Sequence, residues 1–123
     1  MGLLTLGDLS TLDQGLVLRS WTAALKAGPE HVTQLYAPDA LLLATLDPAP
    51  KVGRAAIRAY FDALMADKPG MTCVIQRAFY PRPGVSAGLY LFRWRGGELP
   101  ARFTIVSGPA GIRHHHSSAL PSS

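Results

Sequence analysis

Ile112-Arg113-His114-His115-His116-Ser117-Ser118 closes the β-rich half of this chain and runs straight into Ala119-Leu120-Pro121. Successive side chains of a strand point to opposite faces. Counting from Ile112 therefore puts His114, His116 and Ser118 on one face and His115 and Ser117 on the other. Polar groups this dense on a late strand predict a pocket wall, with His115 turned to solvent or to a partner subunit. An expression-tag remnant fits less well, because the histidines stop at three and paired serines and Leu-Pro follow.

Upstream of that strand the second half reads as a meander. Strands are expected over Met71 to Tyr80, Val85 to Arg95, Leu99 to Ser107 and Gly111 to Ser118. They are joined by Pro81-Arg82-Pro83-Gly84, Gly96-Gly97 and Gly108-Pro109-Ala110. Tyr90, Phe92 and Trp94, at a spacing of two, make one apolar stripe, while Arg93 and Arg95 face the solvent side. The first half is helical in period. Leu12, Leu16, Val17, Trp21, Ala24 and Leu25 predict a helix from Thr11, as its cap, to Lys26, with Gly28 as the stop. Pro29 to Tyr36 suits a short second helix, Ala40 to Leu46 a strand ended by Asp47-Pro48-Ala49-Pro50, and Gly53 to Asp67 a third helix ended by Lys68-Pro69-Gly70. Helices followed by strands give an α+β class, in which three helices cover one face of a curved antiparallel sheet and enclose a ligand-sized cavity.

At 123 residues and 48% hydrophobic content, one domain is expected, over residues 9–121, with flexible ends at 1–8 and 122–123. The net charge of +4 comes from scattered basic residues, which argues against a nucleic-acid face and suits a small anionic ligand. Cys73 has no partner for a disulfide or a Cys-x-x-Cys site and reads as a buried small residue. No basic leader or long apolar run is present, so no membrane association and a cytoplasmic location are expected.

Trp21, the stretch Leu35-Tyr36-Ala37-Pro38-Asp39-Ala40, Thr45, Gly53, Ile57-Arg58-Ala59-Tyr60-Phe61, Ala101-Arg102-Phe103-Thr104 and the histidine-serine ending follow one another in a family order. The chain resembles the nuclear transport factor 2-like, or cystatin-like, proteins of the calcium/calmodulin-dependent protein kinase II association-domain type, over roughly residues 14–121. Within that group it is most similar to the iota-class carbonic anhydrases, whose ending of repeated histidines and paired serines looks like residues 114–121. That likeness implies a bicarbonate pocket made by a threonine of the first strand, a tyrosine of the third helix and a serine of the last strand. Those positions read Thr45, Tyr60 and Ser118 here, with Ser117 as the substitute if the strand slips by one residue. One departure is the short connection Gly108-Pro109-Ala110-Gly111, where family members carry a longer hairpin with a tryptophan. A homodimer is also implied.

Hydrating carbon dioxide needs an activated water, an apolar slot and donors for charge on the product oxygens. Hydroxyls supply donors but not a strong base. In a metal route His114 and His116 would share a strand face as two zinc ligands, yet a third ligand is missing: His31 sits on an exposed helix and no acid falls on an inner strand face. In a metal-free route Tyr60 and Ser118 polarise a water while His116 accepts the proton. The metal-free site, with no cofactor, is preferred. His114 and Arg102 are the remaining substrate-binding candidates, Arg102 because a buried arginine must pair with an acid or face an anion. The competing reading is a non-catalytic module that oligomerises or binds small carboxylates. A polyketide-cyclase type of isomerase or cyclase would need a pocket carboxylate, and the eight acids all fall on loops, helix ends or outer helix faces.

Overall fold

Asp13 starts the first long helix, its carboxylate accepting from the Gly15 amide at 2.8 Å, and Gln14–Ala27 (α1) runs from there to Gly28. The start lies beyond Thr11 because Leu9–Thr11 winds into a separate 3-10 turn, capped by Asp8, and the Thr11 hydroxyl donates back to the Asp8 carbonyl. In the computed structural model residues 8–121 are described, so the expected flexible ends lie outside the described residues apart from Asp8. The short helix Pro29–Thr33 (α2) stops sooner than its pattern suggested. The strand Tyr36–Leu43 (β1) begins at once after the following turn, because Tyr36 pairs with Ile112. Thr45 and Leu46 therefore fall beyond the end of β1, in the loop leading to Lys51–Val52 (β2), a two-residue strand that no local pattern marks. The helix Arg54–Asp67 (α3) and the strands Thr72–Arg82 (β3), Val85–Trp94 (β4), Gly97–Gly108 (β5) and Gly111–Ala119 (β6) follow close to the expected bounds.

The six strands form one sheet in the order β2-β1-β6-β5-β4-β3. Every pair is antiparallel except β1 with β6, which is parallel, so the sheet is mixed rather than wholly antiparallel. Parallel pairing needs a long crossover, and here α3 and four strands separate the two partners in sequence. Its consequence is that the middle of the first half and the last strand of the chain lie side by side.

Bulges bend this sheet. On β3 the register shifts between Ile75 and Arg77, opposite Tyr90 and Leu89, and beside it at Gly88 a Cβ would stand 2.0 Å from the Arg77 carbonyl oxygen. Only glycine fits that crowded bend. On β6 a second bulge changes the expected faces: Ser107 pairs with Ile112 while Val106 pairs with His114, leaving Arg113 as the extra residue. Alternation restarts one residue out of phase, so Ile112, His115 and Ser117 point inward.

The core fills the concave face. Val17, Trp21 and Leu25 of α1 and Ile57 and Phe61 of α3 bury themselves with Tyr36, Leu42, Tyr90, Phe92, Phe103 and Ile105 of the sheet. The stripe of Tyr90, Phe92 and Trp94, which its spacing leaves as either core or a dimer surface, packs into the core, and Cys73 is buried beside it. Burial pushes the Cys73 thiol up to about 12. Among the described residues the other face of the sheet carries no helix. Of the described residues, no helix is long and apolar enough to cross a membrane.

Candidate functional site

Trp21 donates its indole N–H to the Tyr36 hydroxyl at 3.1 Å, deep under α1. That hydroxyl lies 2.7 Å from Nδ1 of His115, and the other ring nitrogen, Nε2, lies 3.1 Å from the hydroxyl of Tyr90. All four side chains are essentially removed from solvent. Tyr90 also meets Ser117, and the Ser117 hydroxyl is hydrogen-bonded to that of Thr45. A continuous file of polar groups thus runs from the back of the core to a cleft between α3 and the sheet.

The cleft is walled by Leu42, Phe61, Leu64 and Phe92, with Thr45, Ser117, Tyr60 and His115 as its polar lining. It encloses about 250 Å³ including its mouth. A contiguous apolar slot of about 230 Å³ shares Thr45 and Tyr60 and extends past Leu46, Trp94 and Leu99. No acidic side chain lines either space.

Burial sets the protonation states here. Desolvation pushes Tyr60 up to about 12, reinforced by the Asp47 carboxylate and opposed by the Leu46 backbone. Tyr36 and Tyr90 are raised by the same cause. His115 goes the other way, down to about 3, first because burial disfavours the imidazolium and then because His114 and His116 flank it. At neutral pH the file is uncharged throughout.

Of the expected site residues, Thr45 and Tyr60 share this cleft, and the serine that joins them is Ser117. Ser118 does not: it pairs with Arg102 on the opposite face, and His114 and His116 lie on that face too, across from Val106 and Thr104. Arg102 is exposed there and has neither the acid partner nor the cavity position expected of it. The physical cause for β6 is the bulge at Arg113, which exchanges the faces of every later residue. His115, expected outside, is 2% exposed and central to the network. Trp21 and Tyr90 show apolar spacing in the sequence, whereas Tyr36 was expected at the end of the second helix, and the hydroxyl and indole partners of all three depend on long-range pairing that no local pattern carries.

Residues 17–113 match the model of the SnoaL-like domain. The chain belongs to the SnoaL-like family. This SnoaL-like chain is also similar to a solved calcium/calmodulin-dependent protein kinase II association-domain protein of Xanthomonas campestris, at 31% identity and a TM-score of 0.79, over 89% of this chain and 87% of that one. A ketosteroid isomerase-like protein of Catenulispora acidiphila, solved with trimethylamine, aligns at 17% identity and TM-score 0.72, covering 82% of each chain. A polyketide cyclase of Sinorhizobium meliloti aligns at 13% identity and TM-score 0.70, over 86% of this chain and 94% of that one. These last two likenesses concern the fold. No curated protein matches the SnoaL-like chain in sequence. The architecture is nuclear transport factor 2-like, as the family order of residues implied.

Proposed function

We propose that the cleft of this SnoaL-like domain interconverts carbon dioxide and bicarbonate in the manner of the iota-class carbonic anhydrases, without a metal. The observation that carries the reading is the convergence of Thr45, Tyr60 and Ser117 on the lining of one cleft, with the Thr45 and Ser117 hydroxyls hydrogen-bonded, beside an apolar slot. Sites for drug-sized ligands span about 300–1,000 Å³, whereas this cleft leaves about 20 Å³ to the centre of a water-sized sphere, room for a water or a ligand of a few atoms. Isomerase or cyclase chemistry of the type found in this superfamily takes a proton from carbon and needs a general base of suitable pKa. The cleft offers no carboxylate, and its imidazole is a very weak base.

In the hydration direction a water oxygen attacks the carbon of carbon dioxide. The new C–O bond forms as one C=O pair moves onto oxygen, and a proton leaves the attacking water for solvent through the open mouth. The product is bicarbonate. The Tyr60 hydroxyl and the one proton that the Thr45–Ser117 pair does not spend internally donate to the oxygens where charge gathers, and Tyr60 keeps its proton at neutral pH because its pKa is pushed up to about 12. Phe92 and Leu64 line the slot for the gas. The donor set does not fit zinc: both nitrogens of His115 are engaged by tyrosines, and His114 and His116 stand on the other side of the sheet.

Stopped-flow hydration tests the reading. Activity that survives a chelator and is lost in Thr45→Val supports it, and a folded but inactive protein overturns it. That inactive outcome favours the second reading, a non-catalytic module that assembles oligomers or holds a small carboxylate, for which the association-domain likeness at 31% identity speaks. A homodimer belongs to both readings. Val74 and Phe79, about half exposed on the helix-free face of the sheet, are apolar area for it to cover; light scattering decides.

A further inference from the structure

Donor counting along the buried file has one solution. An indole N–H only donates, so the Tyr36 oxygen accepts from Trp21. Tyr36 is fully buried and its hydroxyl has two partners, Trp21 and His115. Its own proton therefore has to point at Nδ1 of His115, since the reverse arrangement leaves a buried O–H without an acceptor. A neutral imidazole carries a single proton, which then sits on Nε2 and is given to Tyr90. Tyr90, which accepts from Nε2, is left with its own proton to give on the cleft side, where Ser117 and Thr45 lie.

We infer that His115, held by Tyr36 and Trp21, is a positioning residue whose Nε2–H tautomer turns the Tyr90 hydroxyl proton towards the cleft, making the site selective for ligands that present an acceptor oxygen, such as a planar oxyanion. This deepens the bicarbonate reading and rests on it for the ligand, but the tautomer stands or falls by itself. The arrangement costs nothing at the moment of binding, because the hydroxyls cannot turn without breaking a buried bond behind them. An ammonium ligand would meet the wrong end of an O–H.

Nitrogen-15 NMR of the whole protein reads the tautomer directly. The wild type should show Nδ1 without a proton and Nε2 with one, and the Trp21 indole proton at a hydrogen-bonded shift. In Tyr36→Phe the preference for Nε2–H should be lost, with bicarbonate binding followed by carbon-13 NMR weakened by roughly tenfold. Trp21→Phe tests the same link from behind: it keeps Tyr36 but frees its hydroxyl to accept from Nδ1. A proton on Nδ1 in the wild type, or a tautomer unmoved in both variants, overturns the inference. The wild-type spectrum settles this even if a variant fails to fold. The correct tautomer in a wild type that binds no bicarbonate would instead sink the proposed substrate and leave the positioning file intact. Trimethylammonium binding at comparable strength to bicarbonate would refute the selectivity.

Discussion

The Tyr36 hydroxyl and Nδ1 of His115, 79 positions apart in sequence, stand 2.7 Å from each other across the parallel strand pair. That contact ties the start of β1 to the last strand and links the α1 core to the cleft. Removing it should show in stability before function. Tyr36→Phe keeps the ring in place but strands a buried indole N–H and a buried ring nitrogen, at a cost of about 1–3 kcal/mol. Urea unfolding at neutral pH measures it. A cost below a few tenths of a kcal/mol would mean that water repairs both groups.

His115 also predicts an acid signature. Its folded-state pKa lies near 3, and that of an unfolded histidine is about 6.5. Between those values the unfolded chain binds a proton that the folded one refuses. The stability is complete above about pH 6.5 and falls towards pH 3, by about 1 kcal/mol per pH unit. His115→Gln should be less stable at pH 7 yet lose stability more gently over that window. Asp47, held low first by Lys51, titrates alike in both proteins and cancels in the difference. Equal acid slopes for the two proteins would count against a buried neutral imidazole.

Thr45→Val and Ser117→Ala each break the hydrogen-bonded hydroxyl pair that donates at the cleft edge, whereas Ser118→Ala alters only the outer face. Losing an oxyanion donor typically costs on the order of a hundredfold in turnover. Hydration rates should therefore fall by about that factor in the first two variants and stay at the wild-type level in the third. A loss confined to Ser118→Ala would reverse the assignment of faces on β6.

The fold was readable because its signals are local. Trp21 and Leu25 recur at helical spacing, Tyr90 and Phe92 alternate, and Gly84 and Gly96 mark tight turns, so the elements fall where their own residues place them. The site was half readable. Thr45 and Tyr60 came from the family order, but the choice between Ser117 and Ser118 turned on Arg113, an extra residue whose presence depends on Ile112 pairing with Tyr36 and Ser107 at once. A bulge of this kind is a property of two neighbouring strands, not of the strand that carries it. The parallel contact of β1 with β6 and the two-residue β2 were invisible for the same reason.

Gly111 is where that bulge can be tested. Its φ is +126°, a conformation costly for any residue with a side chain, and a Cβ there would stand 2.7 Å from the Leu35 carbonyl oxygen and 3.0 Å from the Ala37 amide nitrogen. The close approach lets β6 enter beside β1, with the Ile112 amide donating to the Leu35 carbonyl at 2.8 Å. Gly111→Ala must push the strands apart or move the bulge. Strain at such a position costs about 1–3 kcal/mol, and a displaced bulge would return Ser118 to the inner face and Ser117 to the outer. Thermal unfolding together with hydrogen exchange at Ile112 and Ser117 distinguishes the two: lower stability with protection retained means strain alone, and lost protection at both amides means the register has moved. Unchanged stability and exchange would show that β1 and β6 are not packed as tightly as these distances state.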